Sequence, residues 1–156
     1  MISFQSELEM SEKFEEFLLN KNKNFFLKEL KGINGIPDYV YLYYGNNDTL
    51  KIISIELKLK NWKRAVIQAF KYKSFSHLSY VVIDKHFSKI AISKLEEFKK
   101  YNIGLATFDI NSNFEIISHP IIDEPYSGQL YNKIEKYIYK ENIEIDNMMN
   151  FAFDFI

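Results

Sequence analysis

Residues 50–60 read Leu50-Lys-Ile-Ile-Ser-Ile-Glu-Leu-Lys-Leu-Lys60. This stretch decides the fold. It is dense in β-branched residues and alternates with period two, which predicts a strand from about Leu50 to Leu59. Successive side chains on a strand point to opposite faces. Ile53, Ile55, Leu57 and Leu59 therefore share one face, and Ser54, Glu56, Lys58 and Lys60 the other. An acid and a lysine thus sit side by side on a strand whose apolar content implies burial.

Upstream, Gly45-Asn-Asn-Asp48 is a hairpin signal. It joins the stretch to a Tyr- and Val-rich strand over 38–44, which opens at Gly35-Ile-Pro-Asp38. Lys31–Pro37 reads as a turn, residues 24–30 as a strand, and 4–20 as a helix with Phe4, Leu8, Met10, Phe14, Phe17 and Leu18 at helical spacing. Downstream, a helix is expected from Trp62 to about Phe75. The apolar run at 78–83 reads as a strand covered on both faces. A helix at about 88–101, a strand at 103–108, an edge strand at 114–118 and a helix at 126–140 follow. The apolar tail 147–156 reads as a last helix or strand, or as a homodimer contact. The predicted order is α-β-β-β-α-β-α-β, an α/β domain with a mixed sheet flanked by helices.

The chain has 156 residues, 47% hydrophobic and 26% charged, with a net charge of -1. That is the profile of one soluble domain with its own core. A tight, non-specific nucleic-acid binder would be far more basic. No cysteine is present, so disulfides and thiolate metal sites are excluded and any metal needs oxygen or imidazole ligands. The absence of cysteine also fits a cytoplasmic protein. No apolar run approaches the roughly 18 residues of a membrane span. Glu7, Glu9 and Glu12 stand where a secretory signal would be basic.

Counting back from the hairpin turn brings Asp38 opposite the Glu56 region. Two carboxylates at one end of a hairpin make a site for a hard divalent cation, magnesium (Mg2+) or manganese (Mn2+). Lys58 would supply positive charge beside the scissile phosphate and orient the attacking water. The competing reading of Glu56-Leu-Lys58 is a surface salt bridge. Glu7 falls on the same helical line as Met10, Phe14 and Leu18. Facing inward it would need a partner; in the first turn it would simply favour the helix dipole. Arg64, Gln68 and Lys71 form a polar stripe on the helix after the Glu56 strand. With Lys60 and Tyr72 they are candidate nucleic-acid contacts; the rival reading is a solvated face. His77, His86 and His119 have no metal-ligand spacing, and surface or capping roles are expected of them.

Together, Pro37-Asp38, Glu56-Leu-Lys58 and the element order resemble the PD-(D/E)XK nuclease superfamily, over about residues 5–108. The resemblance implies a restriction-endonuclease-like fold with core order α-β-β-β-α-β and a C-terminal helical extension over about 119–156. It implies metal ligation by Asp38, Glu56, Glu7 and the backbone carbonyl of Leu57, with Lys58 positioning water. Gln68 and Tyr72 look like the Q-x-x-x-Y element of the RecB-like branch, which adds Gln68 to the expected active site. Glu29 stands where some members carry a further acid, and a structural role is expected of it. The function implied is a metal-dependent DNA endonuclease. The alternative is an inactive module of the same fold that binds nucleic acid or a protein partner.

Overall fold

In the computed structural model, which describes residues 2–21, 26–28, 35–45, 48–143 and 145, the Leu50–Lys58 stretch is an interior strand of a six-stranded sheet. The elements run α1 (Glu7–Lys21), β1 (Phe26–Lys28), β2 (Tyr39–Tyr44), β3 (Leu50–Lys58), α2 (Trp62–Tyr72), β4 (Leu78–Asp84), α3 (Ser88–Ser93), α4 (Leu95–Lys100), β5 (Gly104–Phe108), β6 (Phe114–Ser118) and α5 (Gly128–Lys140). One 3-10 turn, Lys85–Phe87, links β4 to α3. Strand order follows chain order. β1-β2-β3 and β5-β6 pair antiparallel, while β3-β4 and β4-β5 pair parallel across the α2 and α3–α4 crossovers.

The period-two pattern sorts the side chains into layers. Ile53, Ile55 and Leu57 of β3 join Met10, Phe14 and Leu18 of α1 in one cluster. There the Phe14 ring meets Phe108 edge-on at 5.2 Å and lies 5.5 Å from Tyr39. Leu50 and Ile52 pack on the other face with Ile134 and Ile138 of α5. Val81, Ile83 and Leu105 meet Ala65 and Ala69 of α2, with Ala91 and Phe98 from α3 and α4. The sheet is thus sandwiched between α1 and the remaining helices. Every residue of β4 is buried, as expected for a parallel strand covered on both faces.

Three expectations shift. The helix over 88–101 is broken at Lys94, whose N–H turns back to the Ala91 and Ile92 carbonyls. Among the described residues of the extension over 119–156, the helix spans Gly128–Lys140, capped by Ser127, and 119–127 is not helical. His77 is buried rather than superficial. Its Nδ1 accepts the Ile52 N–H at 3.1 Å, and burial lowers its pKa to about 4. Glu29 and the tail 147–156 lie outside the described residues. Among those residues, no helix is long and apolar enough to cross a membrane.

Candidate active site

β2 and β3 pair from Tyr44↔Leu50 to Tyr39↔Ile55. One step further, the register sets Asp38 level with Glu56. Asp38 is half-buried, and its Oδ2 accepts the Leu57 N–H at 2.7 Å, which fixes the carboxylate against β3. Glu56 is 3% exposed. Its pKa is raised to about 7, chiefly by burial and next by the charge of Asp38. A buried acid beside a second carboxylate is unstable as an anion.

Lys58 stands beside Glu56. Its Nζ lies 3.9 Å from Glu56 Oε1 and 3.6 Å from Glu7 Oε2. Glu7 occupies the first turn of α1 with an exposed side chain. It is not turned into the core as Met10, Phe14 and Leu18 are. Phe4 before it and Met10 after it are buried in one cluster, while the Glu7 side chain stays half exposed and meets Lys58 instead.

Asp84, which the motif reading missed, ties down the segment just before α1. It ends β4, fully buried, and its Oδ2 accepts the Phe4 N–H at 3.0 Å while its Oδ1 accepts the His86 N–H at 3.0 Å. An acid closing a buried strand just before a polar turn is the only sequence signal for it.

Tyr72 closes the other side. Its hydroxyl lies 2.8 Å from Glu56 Oε2 and 3.0 Å from the Ile36 carbonyl, both acceptors. Gly35 makes this possible. It adopts φ +80°, and a Cβ there would stand 2.8 Å from Tyr72 Cε1. Only glycine satisfies both demands. Tyr72 is 2% exposed, so it acts on Glu56 and has little surface to offer a polymer.

Gln68, one turn earlier on α2, holds its Oε1 buried with no hydrogen-bond donor among the described residues. Arg64 and Lys71 are exposed; the Arg64 backbone N–H is capped by Asn61 Oδ1 at 3.2 Å. Lys60 is exposed and lies over the Phe87 ring at 5.6 Å. The structure therefore brings Glu7, Asp38, Glu56, Lys58 and Tyr72 together, and leaves Lys60, Arg64 and Lys71 exposed on the surface.

Among the described residues, no three His, Asp or Glu side chains are grouped to hold a metal. The donor set is the pair Asp38 and Glu56. Magnesium is commonly held by one or two carboxylates, with water and substrate phosphate completing the shell, so the pair fits such an ion. A divalent cation would also relieve the repulsion that raises the Glu56 pKa.

No family model matches the chain, nor does any curated protein or solved structure.

Proposed function

We propose that the protein is a metal-dependent phosphodiesterase of the PD-(D/E)XK type, cleaving DNA at internal positions. The observation that carries the reading is the meeting of Asp38, Glu56 and Lys58 at one end of the β2–β3 hairpin, with Glu56 destabilised as an anion by burial and by Asp38.

Asp38 and Glu56 are the residues that would hold Mg2+ or Mn2+, with the Leu57 carbonyl a further candidate on the same strand. The bound ion would supply Lewis acidity toward the phosphate. The chain's own residues do the rest. Leu57 N–H holds Asp38 in place, and the Tyr72 hydroxyl holds one Glu56 oxygen and favours its charged form. Lys58, its side chain largely buried, presents a positive charge beside Glu56. Such a charge stabilises the negative charge that builds on the phosphoryl oxygens and orients water for in-line attack. Glu7 restrains Lys58 from the solvent side.

The test is cleavage of plasmid, branched and single-stranded DNA with magnesium or manganese, by wild type and by Asp38→Ala and Lys58→Ala. Metal-dependent cleavage by wild type alone supports the reading. Equal products from all three reject the assignment of Asp38 and Lys58, and none from any rejects it in favour of a non-catalytic module of similar architecture.

A further inference from the structure

A cavity lined by none of the site's acids lies between α2 and α4. It is an open groove of about 640 Å3. Two kinds of side chain dominate it. Trp62, Phe70 and Tyr101 supply aromatic surface, and Lys63, Lys71 and Lys94 supply charge against a single acid, Glu97.

The aromatic rings are held from behind. Trp62 is half-buried with its ring 6.0 Å from that of Phe98, which is fully buried. Phe70 meets Tyr101 edge-on at 5.6 Å, yet Phe70 remains 41% and Tyr101 38% exposed. Ile67, between Trp62 and Phe70 on α2, is 59% exposed. Large apolar side chains held in place yet left open to water mark a binding face more often than a solvated one. All three lysines are exposed.

We infer that this groove binds the unpaired single strand of a nucleic-acid substrate, bases stacking on Trp62, Phe70 and Tyr101 and phosphates meeting Lys63, Lys71 and Lys94. The inference extends the nuclease reading to its substrate. Stacking on aromatic planes tolerates any base, and flanking cations follow the backbone. A duplex hides its base faces and could use only the lysines. An acidic peptide could use the charge but would leave planar surface underused.

Charge complementarity argues for a polyanion, because the rim carries three cations and one acid in a chain whose net charge is -1. Continuity argues for a substrate of the same site. α2 lines the groove with Trp62 and Phe70, about 12 Å apart at 1.5 Å per residue, and carries Tyr72 to Glu56 on its other face.

Trp62 is the only tryptophan in the chain, so its fluorescence reports the groove directly. Oligothymidylate of about a dozen nucleotides is titrated into metal-free protein with a chelator present, which separates binding from cleavage. The expected result is saturable quenching, with log K falling against log salt at a slope of about −2 for three lysines on single-stranded nucleic acid. Lys63→Glu combined with Lys94→Glu should weaken binding at least about tenfold while circular dichroism and melting stay those of wild type. A duplex of equal length should bind more weakly.

Absence of saturable quenching, indifference to salt and charge reversal, preference for duplex, or stronger quenching by an acidic amphipathic peptide would each overturn the inference. Cleavage without a Trp62 response sinks the groove and leaves the acid site standing. A Trp62 response without cleavage does the reverse.

Discussion

The Tyr72 hydroxyl lies 2.8 Å from Glu56 Oε2 and ties the end of α2 to the most buried acid of the site. The same hydroxyl meets the Ile36 carbonyl at 3.0 Å, so one oxygen joins α2, β3 and the loop before β2. Tyr72→Phe keeps the ring and removes this junction. A buried carboxylate loses its donor, which should cost about 1–3 kcal/mol of stability in a denaturant melt. Because the hydrogen bond favours the charged form, its loss should move the acid limb of any pH–rate profile to higher pH. A limb that stays in place would show that Tyr72 does not act on Glu56.

Glu56 sets a pH dependence of the opposite sign from an ordinary salt-bridged acid. Its folded pKa of about 7 lies above its ordinary value of 4.5. Between those values the folded protein binds the extra proton, so metal-free stability should fall as pH rises from about 4.5 to 7 and then level off. The displacement corresponds to about 3 kcal/mol at most. Glu56→Gln removes the charge and keeps an acceptor for Tyr72. It should therefore melt higher than wild type at pH 8 without metal, and show no cleavage. A variant melting at or below wild type at pH 8 would contradict the burial argument.

His77 works against that trend. Its pKa is lowered to about 4, mainly by burial and next by Lys51, against an ordinary 6.5. The unfolded chain takes up the proton first, so this contribution is complete above about 6.5 and is lost as pH falls toward 4. In wild type the two slopes oppose each other between about 4.5 and 6.5. In Glu56→Gln only the histidine slope should remain, with stability rising with pH across that window. Chemical denaturation at half-unit pH steps measures both. A flat Glu56→Gln profile there would exclude the histidine as the group responsible.

How far the chain was legible depends on whether a signal was local. β3, β4 and the hairpin between β2 and β3 follow from alternation, an apolar run and Gly45, and register alone brings Asp38 to Glu56. Lys58 was readable as a neighbour of Glu56 on the strand. The position of Glu7 was not, because a helical wheel does not show that Lys58 of β3 would stand beside it. The burial of His77 and the role of Asp84 escaped for a similar reason. Each is set by a long-range bond, His77 by its bond to Ile52 twenty-five residues back, and Asp84 by its bond to Phe4 eighty residues back.

Glu7 offers a test that separates positioning from folding. Its side chain is 52% exposed and its 3.6 Å contact with Lys58 is a part-exposed ion pair. Such pairs contribute about 0–1 kcal/mol, so Glu7→Gln should melt within that margin of wild type. Lys58, however, would lose the partner that draws it away from Glu56 Oε1, 3.9 Å off. If Lys58 must reach a phosphate, its average position should then move inward toward the acids, and kcat should change while KM does not. Lys58→Met provides the reference, with kcat falling on the order of 100-fold or more, as for removal of a charge-stabilising donor. The double variant Glu7→Gln/Lys58→Met should be no slower than Lys58→Met alone, since Glu7 is argued to act only through the lysine. Additive losses would show that Glu7 contacts metal or substrate directly, and the assignment of Glu7 as a positioning residue would fail.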